Sequence, residues 1–307
     1  MSPRPDDEWE EDEEWEDEED WEEEEDWDED EEPVPSRPRS GPAVAERRRH
    51  LAGLALGYLA MLPLILVYEW GRTVQSGGSG TRNTAELLLF FAFEPFGPDL
   101  STILRWLALT LGAVLALYLC YRRQLAPVPE TLRIIAEGAL GALLIGPILA
   151  FGMRLFEGTI VLMDRVEAAP LVAEVGAPPA GSRAALAFGA GAWEEILFRV
   201  LLYGLVFLFA RRLFEYWGAS KRTTWLGCEG AALVLSSLAF AAFHLAAFLP
   251  RGWTGGESFD SRVFLWRCSA GLVLALLFRW RGPGVAAWTH GLFNLALLLR
   301  VDPEVLL

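Results

Sequence analysis

Cysteine and histidine are scarce in this chain, which has three of each among 307 residues. The cysteines are odd in number, widely separated and without a C-x-x-C spacing, which excludes a small secreted domain held together by disulfides. They are Cys120, Cys228 and Cys268. A continuous basic face is missing as well, because the basic residues stand singly or in short clusters at the ends of apolar segments. This excludes a protein that binds nucleic acid.

Most of the acidic charge lies in the first 32 residues. They hold 23 of the 42 acidic residues and a single base, Arg4, whereas the remaining chain has a net charge of +6. Hydrophobic residues still make up 52% of the whole sequence, and the mean hydropathy is positive at +0.26. Because the acidic segment contributes little apolar surface, the rest must be far more apolar than a soluble domain. The composition therefore predicts a membrane protein.

The acidic segment is built from a six-residue repeat. Its units are WEEDEE, WEDEED, WEEEED and WDEDEE, and they begin at Trp9, Trp15, Trp21 and Trp27. Such a dense run of like charge cannot bury enough apolar surface to offset its ordering entropy. We therefore expect residues 1–42 to form a disordered acidic tail with a proline-rich linker. The tail could bind a basic partner, although a solvated, self-repelling segment is the simpler interpretation.

Seven apolar segments follow, each near the length that an α-helix needs to cross a bilayer. They are residues 51–68, 100–121, 138–153, 184–210, 230–249, 263–278 and 284–299. A shorter apolar stretch at 85–93 is a candidate for an interfacial or re-entrant helix. We predict an all-α, polytopic transmembrane bundle of about seven spans over residues 43–307, in contact with membrane lipid.

The basic residues give the predicted bundle a direction. Fourteen arginines and lysines flank the spans on the side of the N-terminus, and eight flank them on the opposite side. Because cytoplasmic segments carry the excess of positive residues, this distribution predicts a cytoplasmic N-terminus.

Polar clusters at helical spacing occur inside three of the last four segments, where a charge is costly and must be paired, hydrated or functional. In the fourth segment, the sequence WEEILFR carries Glu194, Glu195 and Arg199. Glu195 and Arg199 are four residues apart, so we expect them to form an ion pair. Glu194 lies about 100° away around the helix and should face another helix or a water-filled cavity. There it could accept and return a proton.

Two further motifs contain the other two polar clusters. The fifth segment has Phe240 and His244 in FAAFH, and the seventh has His290 and Asn294 in HGLFN. A single Glu–Arg pair or a single histidine is often only a structural residue. A carboxylate, two imidazoles and a carboxamide form a set that packing alone does not require, so together they are the candidate site.

The three motifs, Glu-Glu-x-x-x-Arg, Phe-x-x-x-His and His-x-x-x-Asn, occur in this order and resemble those of the CPBP family of intramembrane proteases. That family includes the CAAX prenyl endopeptidases and bacterial relatives linked to bacteriocin processing and immunity. The resemblance covers about residues 184–300, the protease-like core. It implies a multi-helix membrane bundle with an active site sunk in the bilayer and open to water from one side.

The resemblance also implies a role for each motif residue. Glu194 and His244 would activate a water molecule, and His290 and Asn294 would stabilise the oxyanion. The residues that would support them are Glu195, Arg199 and Phe240. The reaction would be hydrolysis of a peptide bond in a membrane-associated protein or peptide substrate, without a covalent intermediate and, in the preferred form, without a cofactor.

Three alternatives remain open at this point. Glu194, His244 and His290 are the ligand types of a Zn²⁺ site, although the H-E-x-x-H spacing is absent and the carboxamide beside His290 is a poor zinc ligand. A non-catalytic transporter or bacteriocin-immunity protein could use the same Glu, His and Arg network as a proton relay, although no inverted repeat is visible. A scaffold could use the acidic tail to recruit a basic cytosolic partner.

Overall fold

The computed structural model describes residues 42–75, 83–157, 180–248 and 258–298. Its α-helices are α1 Pro42–Gln75, α2 Thr84–Leu89, α3 Pro98–Arg122, α4 Pro127–Glu157, α5 Ala180–Glu195, α6 Gly204–Tyr216, α7 Lys221–Ala242, α8 Ser261–Arg281 and α9 Pro283–Leu298. Shorter helices of other types are the 3-10 helices Phe91–Phe96 and Ala246–Phe248 and the π-helix Ile196–Tyr203. No strand occurs in these four ranges, which confirms the prediction of an all-α fold.

The acidic repeat and nearly all of the linker lie outside the described residues, which begin at Pro42 with the start of α1. The disordered tail and the domain boundary at residue 42 therefore stay predictions.

Within the described residues, five helices are long and apolar enough to cross a membrane. They are Gly53–Gly71 within α1, Pro98–Arg122, Pro127–Met153 within α4, Lys221–Ala242 and Ser261–Arg281. The other two predicted spans, 184–210 and 284–299, are also helical. However, a π-helix divides the first, and α9 has only 16 residues. The protein is a polytopic membrane protein, while the total of seven spans stays a prediction.

Helices α3 and α4 present leucine-rich faces to the outside of the bundle. Leu107, Leu111 and Leu115 on α3, and Leu143 and Leu144 on α4, are each at least half exposed. Only 22% of the apolar 18-residue stretch of α3, and 17% of that of α4, is buried within the protein. Apolar surface of this extent is unfavourable against water and suited to lipid hydrocarbon.

Helix α9 is the central helix of the bundle and packs against α4, α5 and α8. Two side chains fix it to its neighbours. Trp288 Nε1 donates a hydrogen bond to the Ala60 carbonyl of α1 at 2.7 Å, and Thr289 Oγ1 donates to the Gly138 carbonyl of α4 at 3.1 Å. Since these helices enclose α9, the next residue, His290, lies inside protein and is only 5% exposed.

Candidate active site

Helix α5 continues directly into the π-helix Ile196–Tyr203 after the pair of glutamates. Glu194 and Glu195 occupy the last two positions of α5, and Arg199 lies in the π-helix. All three residues are buried. Short π-helical segments are frequent at functional sites because they change the direction in which side chains project. The two glutamates and Arg199 therefore lie where the α-helix changes to a π-helix.

Glu195 connects a histidine to an arginine. Its Oε1 lies 2.9 Å from His290 Nδ1, and its Oε2 lies 3.3 Å from Arg199 Nε. The second contact confirms the ion pair predicted from the four-residue spacing. Because a carboxylate can only accept a hydrogen bond, His290 Nδ1 carries a proton in this contact. Glu195 thereby orients the imidazole and leaves its Nε2 to face Glu194.

Arg199 is fully buried and contacts two further helices. Its Nη2 donates to the Gly271 carbonyl of α8 at 3.1 Å, and its guanidinium carbon lies 4.5 Å from the centre of the Phe240 ring of α7. A charged hydrogen bond and a cation–π contact compensate in part for the lost hydration of the guanidinium. The ion pair thus also joins α7 and α8 to the glutamates.

Glu194 takes its contacts from other parts of the chain. Its Oε1 accepts a hydrogen bond from Asn83 Nδ2 at 3.3 Å, and its Oε2 lies 3.8 Å from His290 Nε2. The second distance exceeds that of a direct hydrogen bond. The Glu194 side chain is 10% exposed, whereas that of Glu195 is completely buried. Glu194 is therefore the less completely buried carboxylate of the pair.

His244 lies just beyond the end of α7 at Ala242, so the predicted helix over 230–249 is too long at its C-terminal end. The imidazole Nδ1 lies 2.8 Å from the Phe240 carbonyl, which would accept the His244 backbone N–H in a continued α-helix. That N–H donates instead to the Ala241 carbonyl at 3.3 Å. Because a carbonyl can only accept, Nδ1 carries the ring proton and Nε2 is left as an acceptor.

The Phe240 ring contacts both imidazoles. Its centre is 5.1 Å from that of His244 and 5.8 Å from that of His290, and both pairs are arranged edge to face. Edge-to-face contacts are favourable for aromatic rings at these separations. Phe240 therefore connects His244 to the cluster of Glu195, Arg199 and His290.

Asn294 follows His290 by one turn of α9 and is half-buried. It makes no hydrogen bond to any other residue that the structure describes. Six of the seven motif residues therefore form one connected set of contacts, and Asn294 adjoins this set through its helix. Its role as an oxyanion donor stays a prediction.

Sequence analysis missed Asn83, which lies 111 residues before its partner Glu194. It also missed a second buried polar cluster, which we call the α2 cluster: Tyr68, Glu69, Glu86 and Arg105. The sequence contains an indication of this cluster, because charged residues within or beside the apolar segments follow the same rule that identified Glu194.

Arg105 is one of the eight basic residues that the sequence assigns to the side opposite the N-terminus. In the structure it is 2% exposed and pairs with Glu69 and Glu86. The residue is therefore an internal charge, and a count of loop charges should omit it. The cytoplasmic N-terminus stays a prediction.

The proposed zinc ligands do not form a metal site in the described part of the chain. No three His, Cys, Asp or Glu residues there are grouped so that they could hold a metal ion. Glu195 accepts a hydrogen bond from His290 Nδ1, which leaves Nε2 as the nitrogen that faces Glu194, 3.8 Å from its Oε2. The metal-free form of the reaction therefore stays a prediction.

The fold and the site together define a membrane-embedded helical protein with a Glu–His–Arg cluster between its helices. Residues 178–296 match the model of a family described as type II CAAX prenyl endopeptidase Rce1-like. This match, over 119 of the 307 residues, confirms the resemblance to the CPBP proteases. The match supports a CAAX-type intramembrane protease as the general class of the protein. No curated protein and no solved structure matches the chain.

The matched segment contains all seven motif residues but neither Asn83 nor the α2 cluster. The second partner of Glu194 thus comes from a part of the chain that the family model does not cover.

Proposed function

We propose that this protein is an intramembrane endopeptidase in which Glu194 is the general base. The observation that carries the proposal is the environment of this carboxylate. It is slightly exposed, unlike that of Glu195, it contacts the Asn83 amide and faces the His290 imidazole, and it belongs to the segment that matches the family. A carboxylate in such a partly desolvated position is suited to take up and release a proton.

In the proposed reaction, Glu194 removes one proton from a water molecule, while the other water proton is donated to His244 Nε2. The resulting hydroxide attacks the carbonyl carbon of the scissile peptide bond. The carbon–nitrogen bond then breaks, and Glu194 returns its proton to the leaving amine. The carboxylate is regenerated, and no covalent intermediate with the enzyme forms.

We assign stabilisation of the oxyanion to His290 and Asn294. Because Glu195 occupies Nδ1, His290 can donate only from Nε2 and must act as an imidazolium. The charges of Glu194, Glu195 and Arg199 leave one negative charge uncompensated, and a protonated His290 balances it. Once Glu194 has taken the water proton, the cluster carries a net positive charge, which favours an adjacent oxyanion.

For the substrate we propose a CAAX-type peptide, which carries a prenylated cysteine near its C-terminus. The support is the description of the family that residues 178–296 match. A leader peptide is the alternative substrate. The two are distinguished by offering purified protein in liposomes a fluorogenic farnesylated CAAX peptide and, separately, an unprenylated leader-type peptide.

The decisive variant for this function is Glu194→Gln, which keeps the shape of the side chain and removes the base. We expect the rate of cleavage of the farnesylated peptide to fall roughly 10²- to 10⁴-fold, the usual contribution of a general base. The matched control is Glu215→Gln, which changes an exposed glutamate paired with Arg211. Full activity of Glu194→Gln, or no cleavage by the wild-type protein, would contradict the proposal.

A proton-conducting transporter is the second candidate function, because hydrogen bonds continue from the site into the α2 cluster. Asn83 contacts both Glu194 and the Tyr68 hydroxyl, and Tyr68 donates to Glu86. Chains of this kind are found in proton relays. Proton flux into liposomes that requires Glu194, without peptide cleavage, would favour the transporter.

A further inference from the structure

The α2 cluster lies where α1, α2 and α3 meet. Arg105 of α3 pairs with Glu69 of α1 at 2.9 Å and with Glu86 of α2. Tyr68 of α1 donates a hydrogen bond to Glu86 at 2.9 Å. All four residues are at most 2% exposed. Moving α2 would separate Glu86 from Arg105 and leave buried charges without a partner, which is costly. The cluster therefore fixes the position of α2.

Apolar contacts hold α2 against α5 beside the two glutamates of the candidate site. Phe90, at the C-terminal end of α2, packs edge to face on Trp193, with the ring centres 5.4 Å apart. Ala85 and Trp193 belong to the same buried core cluster. The Tyr68 ring lies on Gly189 of α5, where a Cβ atom would come within 2.7 Å of the ring carbon Cε2. Since Trp193 directly precedes Glu194, α2 is anchored next to the proposed base.

Asn83 is the N-cap of α2 and uses both ends of its side-chain amide. Its Oδ1 accepts hydrogen bonds from the N–H groups of Ala85 at 2.8 Å and Glu86 at 3.3 Å. Its own backbone N–H donates to the Tyr68 hydroxyl at 2.8 Å. With Oδ1 and the backbone fixed, Nδ2 is directed at Glu194 Oε1. Serine or aspartate would cap the helix as well as asparagine does, but neither has an amide donor.

We infer that Asn83 is a positioning residue for Glu194, through which the α2 cluster sets the orientation of the carboxylate. This inference rests on the proposed function of Glu194 as the base. With Oε1 bound to Asn83, Oε2 is the oxygen that faces His290 and is left to receive the water proton. The first three helices, which the family model does not cover, thereby complete the active site.

The test compares three substitutions of Asn83 in the full-length protein, with the farnesylated CAAX peptide as the probe. Asn83→Ser keeps a cap oxygen and removes the amide donor, and Asn83→Asp does the same at constant shape while adding a negative charge. Asn83→Ala removes both the cap and the donor. The rate constant kcat, KM and the thermal unfolding midpoint are measured for each variant, with Glu194→Gln in the same series.

We expect Asn83→Ser and Asn83→Asp to lower kcat roughly 10- to 100-fold, the range for losing a hydrogen bond to a charged group. KM should change by no more than about twofold, because the interaction orients the base and does not bind substrate. The unfolding midpoint of Asn83→Ser should stay at the wild-type value. Asn83→Asp should lower it, because the added negative charge lies against the Glu194 carboxylate, and Asn83→Ala should lower kcat and the midpoint together.

The inference is overturned if Asn83→Ser and Asn83→Asp keep the wild-type kcat and only Asn83→Ala loses activity, because Asn83 would then be no more than a helix cap. The activity of Glu194→Gln distinguishes this outcome from a failure of the proposed function. Activity retained by Glu194→Gln would show that Glu194 is not the base, and the inference would fail with the function on which it rests.

Discussion

Gly191 of α5 lies directly against Gly291 of α9. A Cβ atom on Gly191 would lie 2.7 Å from both the amide nitrogen and the Cα of Gly291, and 2.7 Å from the Ala287 carbonyl oxygen. Real Cβ atoms do not approach backbone this closely, so the crossing requires glycine. Glu194 and Glu195 follow Gly191 by one turn, and His290 immediately precedes Gly291. The crossing therefore brings the glutamates and the histidine together.

We predict that Gly191→Ala destabilises the protein and lowers peptide cleavage by more than about tenfold. The added methyl group meets main-chain atoms, which cannot rotate away as a flexible side chain would, and overpacking of this kind costs about 1–3 kcal/mol. The helices would have to separate, which lengthens the contacts of His290 with both glutamates. Thermal unfolding and cleavage of the farnesylated peptide measure the two effects.

The matched control for this substitution is Gly204→Ala, in the helix that continues from α5. A Cβ atom at Gly204 would have no neighbour within 4 Å. The control should change stability by less than about 0.5 kcal/mol and leave cleavage at the wild-type rate. Equal effects of the two substitutions would show that the helix crossing is not what Gly191→Ala disturbs.

The seven motif residues of the candidate site could be predicted from the sequence because each is recognisable from its local sequence pattern. A charged or polar side chain in an apolar helix is conspicuous whatever surrounds it. The four-residue spacing of Glu195 and Arg199 was sufficient to predict their ion pair. The same reasoning, applied to Arg105 with Glu69, could have found the α2 cluster.

The contact between Asn83 and Glu194 could not be predicted in this way. Asn83 and Glu86 have the spacing of a helix N-cap and the acidic residue three positions later, which indicates where α2 begins. The direction of the amide depends on how α2 packs on α5, and no local pattern contains that information. The position of His244 is a similar case, since the apolar sequence continues past Ala242 while a side-chain hydrogen bond ends the helix.

We predict that Arg199→Met destabilises the protein by about 3–5 kcal/mol, because it leaves Glu195 buried without its cation. The double variant Glu195→Gln with Arg199→Met should recover part of this stability, since no unpaired charge remains. Cleavage should not recover, because His290 loses the carboxylate that orients it. The unfolding midpoints and cleavage rates of the two single variants and the double variant form a double-mutant cycle. A double variant as unstable as Arg199→Met alone would refute the ion pair as the cause.

We predict that peptide cleavage does not depend on a bound metal ion. The proposed mechanism activates water with Glu194 and His244, and the described residues contain no group of ligands that could hold zinc. Prolonged incubation with 1,10-phenanthroline or EDTA, followed by removal of the chelator, should leave the rate unchanged. A membrane zinc protease treated in parallel serves as the positive control. Loss of activity that added Zn²⁺ restores would favour the metal-dependent alternative.

The two buried tyrosines that contact glutamates offer a paired test of how far the active site extends. Tyr68 lies in the α2 cluster and contacts Asn83 and Glu86. Tyr203 contacts Glu229, which also accepts a hydrogen bond from Arg279 at 2.7 Å. Replacing either tyrosine by phenylalanine removes one hydroxyl and leaves a glutamate, Glu86 buried or Glu229 half-buried, with one hydrogen bond fewer. Each variant should therefore lose about 1–3 kcal/mol of stability, and Tyr203→Phe should lie at the lower end of this range.

Cleavage should separate the two variants, because only one hydroxyl is connected to the proposed base. Tyr68→Phe frees the backbone N–H of Asn83 and loosens the amide that contacts Glu194, so we expect kcat to fall several-fold at a temperature where the protein remains folded. Tyr203→Phe should keep the wild-type kcat at that temperature, since neither Glu229 nor Arg279 contacts a motif residue through its hydrogen bonds. If both variants lose kcat in proportion to their loss of stability, the effect of Tyr68 is structural. Tyr68 would then have no part in positioning Glu194 through Asn83.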